Sequence, residues 1–168
     1  MRPRLTLTLW IAETVLFRLA EEAVRHVPNE TGGVLLGHRT GDEVVVVAAI
    51  GAGPGAVRWR SGFKPDTDFQ EAEIERTFRS SDGAVTYLGD WHSHPTAPAV
   101  PSKRDRRTLR RIASDPDAQC PMPTMLILEQ DEFELWSAAG WIGYLGRLGR
   151  WGRMTVSLMR IRTFASLR

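Results

Sequence analysis

The 168-residue chain holds one cysteine, Cys120. No intrachain disulfide can form, and no cysteine-rich structural zinc site can be built. A reducing, cytoplasmic setting is the expectation. Cys120 stands between Gln119 and Pro121 with no histidine near it in sequence, so it reads as a buried or incidental thiol, not a nucleophile. Long apolar runs are also missing: nothing approaches the ~18 residues of a membrane span. The start imitates a signal peptide, with Arg2 and Arg4 ahead of Leu5 to Ala12, but Glu13 and Arg18 break the run. A first strand entering a first helix is expected instead. Excess charge is lacking too. The net charge of +2 is too small to imply nucleic acid by itself. Acidic residues vanish from Arg147 to Arg168, where six arginines stand. Segment 147–168 reads as an arginine-bearing last strand or terminus, with contact to an anionic surface as the alternative. The glycine-rich loop Gly51 to Gly55 lacks the Lys and Ser/Thr of a phosphate loop, so it gets no phosphate role.

The elements that are present alternate strand and helix in one domain, with no repeat and no linker. Leu5, Leu7 and Leu9 alternate with Thr6 and Thr8, a half-buried strand. From Ala12 to His26 the period becomes helical, with Val15, Leu16, Leu19, Ala20 and Val24 on one face. Val34 to Gly37 and Glu43 to Ile50 read as a hairpin, and Gly32-Gly33 ahead of them permits close backbone approach. Val57 to Phe63 reads as a further strand. Asp66 to Ser80 reads as a helix with Asp66 or Thr67 as cap and Phe69, Ala72, Ile74 and Phe78 inward. Ala84 to Trp91 is a strand that delivers His92 at its end. Ser102 to Ala113 reads as a helix, and Thr124 to Leu128 and Glu132 to Ala138 as strands. Gly140, Gly143, Gly146 and Gly149 recur every three residues and fit no element. Thr155 to Ile161 suits a last strand.

The chemistry sits between Leu88 and Asp105. His92 and His94 form H-x-H, and seven residues later Ser102 and Asp105 form S-x-x-D. Histidines two apart at a strand end project to the same side. Asp105, in the first helical turn, can face back toward them. Two imidazoles and a carboxylate make three ligands of a catalytic zinc, with the fourth position left to water. Zinc would bring the pKa of that water from about 15.7 to near 7. A base must still accept the proton and hand it to the leaving amine, and Glu30, ahead of a glycine pair and an apolar strand, is the candidate. Ser102 is the candidate donor to the oxyanion. The same S-x-x-D also fits a capping box that needs no metal. If Asp105 ligates zinc, it is not expected to bond the cap amide as well. His26 and His38 read as structural or surface residues, His26 suiting a helix C-terminus.

Glu30 upstream, then His92-Ser93-His94-Pro95, then Ser102 and Asp105, resembles the JAMM motif of the JAB/MPN metalloprotease family. The likeness runs by element order from Leu5 to about Ala138. It implies an α/β fold around a mixed, curved β-sheet flanked by helices, with one Zn2+ per chain. It implies residues 1–146 as the JAB/MPN-like domain, followed by the basic segment 147–168. It also implies His92, His94 and Asp105 as zinc ligands, Glu30 as acid/base and Ser102 as the oxyanion-stabilising serine. The reaction implied is hydrolysis of a peptide or isopeptide bond at the C-terminus of ubiquitin or a ubiquitin-like protein. The wording E-T-G-G-V-L-L-G, G-D-W-H-S-H-P and P-S-x-x-D is similar to bacterial JAB proteins encoded beside E1 and E2 enzymes, including those of antiphage CBASS operons. The expected partners are a ubiquitin-like protein or its conjugate and E1/E2-like enzymes, with no membrane.

Three other uses of such a site stay open at the level of sequence. Small JAB proteins trim a sulfur carrier to expose its C-terminal Gly-Gly, by the same chemistry. MPN-type domains that have lost ligands serve as binding modules, which the full ligand set here argues against. RadC-like proteins share H-x-H-P and S-x-x-D, but usually carry a helix-hairpin-helix segment for which this chain has no room. For partner contact, the acidic helix Asp66 to Ser80 and the loop Thr96 to Pro101 are the candidates, although a solvated face explains the helix more simply. An extended substrate tail would add along a strand edge.

Overall fold

Two strands separated by one residue, Met159, lie at opposite ends of the same sheet. The computed structural model describes residues 7–146 and 152–165. In chain order these form β1 (Thr8–Ala12), α1 (Glu13–His26), β2 (Gly32–Thr40), β3 (Glu43–Ile50), β4 (Val57–Trp59), β5 (Gly62–Lys64) and α2 (Thr67–Ser80). There follow β6 (Thr86–His94), α3 (Lys103–Ser114), β7 (Thr124–Gln130), β8 (Trp136–Leu145), β9 (Met154–Leu158) and β10 (Arg160–Phe164). Eight strands make a mixed sheet in the order β10-β1-β3-β2-β6-β7-β8-β9, and β4 and β5 pair separately. Because β9 holds one edge and β10 the other, the sheet must curl until its edges meet at Met159. The Met159 amide bonds Gly140 O on β8, and the next amide, Arg160, bonds Leu7 O ahead of β1. The fold is thus α/β with a curled mixed sheet and three helices.

Strand alternation divides the core between two faces. On one face Leu9, Ile11, Val44, Val46, Trp91, Leu126, Leu128 and Ile142 pack with Val15, Leu19 and Ala23 of α1. On the other, Met125 and Ile127 pack with Leu109 of α3, while Val34, Leu36 and Ile50 pack with Ile74 of α2. Helices α2 and α3 therefore cover the same face, over β2 and β7–β8 respectively, and β6 runs between them. Strand β6 is hydrogen-bonded on both sides, antiparallel to β2 and parallel to β7. Gly89 sits on it at φ +139°, where an added Cβ would lie 1.9 Å from Thr124 O. A side chain there would separate β6 from β7.

Several elements differ from the sequence reading. The stretch Val57 to Phe63 is two short strands in a hairpin, not one. Helix α2 exposes Phe69 and Phe78 and buries Gln70 instead. The Gln70 Nε2 donates to Gly51 O at 2.9 Å, which satisfies its amide inside the fold. In α1, Val24 is exposed. Strand β8 begins at Trp136, after a turn whose Asp131 Oδ1 accepts the Phe133 and Leu135 amides. It then runs through Gly140 and Gly143, so the glycine triplets belong partly to a strand. At both glycines a Cβ would crowd a neighbour: Leu9 at 2.8 Å and Met154 at 2.3 Å. The last stretch is β9 and β10, not one strand. Of the basic segment, residues 147–151 and 166–168 lie outside the described residues, as do residues 1–6, which include the start of the first strand expected over Arg4 to Trp10.

Candidate metal centre

The cleft between α2 and α3 has about 400 Å³ of space, with Glu30, Gln70, His92, His94, Ser102 and Asp105 on its walls. His92 pairs in register with Ile127, and Asp90 with Val34 and Met125. Alternation then turns Asp90, His92 and His94 toward the cleft, and Trp91 and Ser93 to the α1 side. Both histidines are buried. Their Nε2 atoms lie 3.0 Å apart. Asp105 reaches them from the first turn of α3, with Oδ1 3.5 Å from His92 Nε2 and Oδ2 3.9 Å from His94 Nε2. Burial disfavours the ionised Asp105, but its hydrogen bond and proximity to His92 and its bonds to Ser102 outweigh that and hold the carboxyl well below the usual range.

Sequence reasoning set the capping box against the metal role, and here the geometry differs. Ser102 Oγ accepts the Asp105 amide at 3.2 Å, and Asp105 Oδ2 accepts the Ser102 amide at 2.7 Å. Asp105 closes the box and still faces both imidazoles. A carboxylate has about four lone-pair sites, and the cap takes one.

These residues fit a divalent ion. Donor atoms of His92, His94 and Asp105 converge within 4.8 Å of one another. Two imidazole nitrogens and one carboxylate oxygen are a donor set suited to zinc. The orienting contacts are also present. His94 Nδ1 lies 2.7 Å from Pro98 O, which fixes a proton on Nδ1 and leaves Nε2 as a free lone pair. The proline-containing loop thus sets the tautomer of His94.

Glu30 faces the same cleft from the segment ahead of β2. Burial raises its pKa; His94 draws it down, Asp105 pushes it up, and Arg104 draws it down. Its placement depends on residues that sequence reasoning missed. The Glu30 amide donates to Trp59 O at 3.0 Å. The next residue, Thr31, is fully buried and bonded to Ser93, the residue between the two histidines. The Ser93 amide donates to Thr31 O at 2.8 Å, and the Thr31 amide donates to Ser93 Oγ at 3.0 Å. The far side of Thr31 is held by Arg58, whose Nε donates to Thr31 Oγ1 at 2.9 Å, and by Glu22. Glu30 is thereby fastened to the histidine strand across 62 residues of sequence. Only the x of H-x-H, a small polar residue, hints at this bond. Gly32 pairs with His92, and a Cβ on it would meet the Phe63 ring and Trp91 O, each at 2.4 Å.

Arg104 and Asp90 were missed as well. Arg104 lies over the Trp59 ring at 5.5 Å and donates to Ser61 O and Phe63 O, each at 3.4 Å. It ties α3 to the β4–β5 hairpin at the rim. Asp90 accepts a 2.6 Å hydrogen bond from Tyr87 Oη beneath the histidines, and burial pushes both groups up. His26 pairs with Glu22 on α1, away from the cleft, and His38 lies on β2 and does not line it. Cys120 is buried, and burial raises its thiol pKa despite Arg39 beside it.

Comparison with known proteins agrees with this geometry. Residues 12–140 match the model for prokaryotic homologs of the JAB domain. A probable metalloprotease of Sinorhizobium fredii, y4qB, is 40% identical over 80% of this chain and 83% of its own length. A CD-NTase/cGAS isopeptidase of Vibrio cholerae is 32% identical over 70% of this chain and 72% of its own. The solution structure of a Desulfitobacterium hafniense protein shares the fold, with a TM-score of 0.64 and 21% identity over 95% of this chain and 94% of that one. Among the described residues no helix is long and apolar enough to cross a membrane. The chain belongs to the prokaryotic JAB-domain family, and it is a JAMM-type peptidase.

Proposed function

We propose that the chain is a zinc-dependent isopeptidase that cleaves after the C-terminus of a ubiquitin-like protein or a CD-NTase-type protein joined to a target or to an E1/E2-like enzyme. One observation supports this most: three ligand-type atoms converge beside the half-buried carboxyl of Glu30, in a cleft of about 400 Å³. The isopeptidase names of several relatives supply the substrate class.

His92, His94 and Asp105 would hold the ion. Bound zinc supplies Lewis acidity, which lowers the pKa of water and polarises a carbonyl. The other groups belong to the chain. Glu30 takes a proton from the attacking water as the C–O bond forms and the carbonyl becomes an oxyanion, then gives it to the nitrogen as the oxyanion collapses and the C–N bond breaks. A raised Glu30 pKa brings that base nearer neutral pH, where proton transfer in both directions is efficient. Ser102 spends a lone pair on the cap, and its O–H remains available to the oxyanion. Residues 1–146 would carry this machinery, with β9 and β10 completing the sheet. The working compartment would be the cytoplasm.

The test is cleavage by the zinc-loaded full chain, with and without Glu30→Gln. Three substrates are compared: a ubiquitin-like protein, a CD-NTase and a sulfur carrier, each bearing a C-terminal reporter fusion. The reading expects release of reporter from one of the first two and loss of release with Glu30→Gln. Exclusive cleavage of the sulfur carrier would redirect the assignment, and equal cleavage by both chains would remove Glu30 from its role.

A further inference from the structure

The helices around the sheet treat their cations differently. On α2, Arg76 pairs with Glu73 and Arg79 with Glu75. On α1, Arg25 pairs with Glu21 and His26 with Glu22, and exposed Arg18 is a single cation without an ion pair among the described residues. On α3, Lys103, Arg106, Arg107 and Arg110 fall at i, i+3, i+4 and i+7, one stripe on the side away from buried Leu109 and Ile112. Asp105, the only acid of that helix, is turned into the cleft. Lys103, Arg106 and Arg107 are exposed and have no ion pair among the described residues, while Arg110 is tied to Gly152 O at 2.8 Å.

This arrangement works against the helix. Like charges three and four apart repel. Cations in the first turn also oppose the positive end of the helix dipole. A stripe that violates two local rules, with no ion pair to offset it among the described residues, points to a partner.

We propose that Lys103, Arg106 and Arg107 form the docking surface for an acidic face on the folded body of the substrate protein whose tail enters the cleft. The inference rests on the isopeptidase reading and adds where the substrate's body sits. Continuity supports it, because the stripe begins one residue after Ser102 at the cleft wall. Charge complementarity favours a compact protein over nucleic acid. On α2, Glu73 and Glu75 are paired with arginines, but Asp68 and Glu71 leave that helix with an excess of acid, which would repel a polyanion laid from one helix to the other.

The probe is the reporter fusion above that is cleaved fastest or, if none is cleaved, the CD-NTase fusion, labelled on its body. Its binding to the full chain carrying Glu30→Gln is measured with and without K103Q/R106Q/R107Q. The triple change should raise Kd about tenfold at low salt and flatten its salt dependence. K103R/R106K/R107K, which keeps the charges, should restore both. In the otherwise native chain the triple change should raise KM for the folded fusion and leave kcat, and cleavage of the tail peptide alone, as they were. An unchanged Kd overturns the proposal. So does a short DNA duplex that binds more tightly than the fusion and weakens in the triple variant. Stripe-dependent binding without cleavage would sink the isopeptidase reading and keep the docking surface; cleavage indifferent to the stripe would do the reverse.

Discussion

Helices α2 and α3 sit on the same face of the sheet, and both begin with an oxygen that caps a backbone amide, yet only one cap is open to chemistry. In α2 the Asp66 carboxylate bonds the Phe69 amide at 3.2 Å with Oδ1 and the Gly55 amide at 3.0 Å with Oδ2. Both of its oxygens serve the fold. In α3 the duties are split between Ser102 and Asp105, so Asp105 keeps Oδ1 for His92 and Ser102 keeps its O–H. Spreading a cap over two side chains leaves each with capacity to spare. Capping and ligation are therefore compatible at one residue.

Substitution of these two carboxylates should separate the helices most. Asp105→Ala removes a proposed ligand, and zinc affinity, followed by mass spectrometry of the bound metal, should drop by more than about 100-fold, taking cleavage to background. Even residues that merely orient ligands typically cost 10–100-fold. Asp66→Ala should leave metal content and cleavage intact. Next in size is Glu30→Gln, expected to lower kcat by about 10²–10⁴ with metal retained. Ser102→Ala should lower kcat by roughly 10² through the lost oxyanion donor and stability by about 1 kcal/mol through the lost cap. Asp66→Ala should show only the second of these costs, about 1 kcal/mol in denaturant unfolding. An Asp66→Ala chain that lost zinc, or an Asp105→Ala chain that kept it, would erase the contrast.

The site was legible where its information is local. H-x-H at a strand end and S-x-x-D at a helix start each fix side-chain direction within a few residues, and the curled α/β fold followed from the resemblance they carry. Glu30 was legible only as a candidate, since what fastens it, Thr31 to Ser93, joins segments far apart in sequence. Helix α2 was misread for the same reason: Gln70 is buried because Gly51 O accepts from it, a partner no helical period reveals. The β4–β5 break and the strand through Gly140 and Gly143 also depend on neighbours, namely a reversal at Arg60 and Ser61 and crowding by Leu9 and Met154. The stripe on α3 lay in plain view in the sequence, but charges that look merely solvated acquire meaning only when their partners are counted.

The subtlest difference between the helices concerns the arginines at their ends. Burial, the larger influence, holds the Glu30 pKa above the ordinary carboxylate value, and Arg104 pulls the other way. In the role of base proposed for it, Glu30 must be ionised, so kcat/KM should fall as pH drops through that raised pKa. Arg104→Gln removes a cation that favours the ionised form, so the pKa rises further and the acid limb moves to higher pH. Arg79→Gln on α2 removes a cation that pairs only with its own helix, and its limb should coincide with that of the native chain. The sign is fixed by the charge removed: an Arg104→Gln limb displaced to lower pH would mean that the limb does not report Glu30.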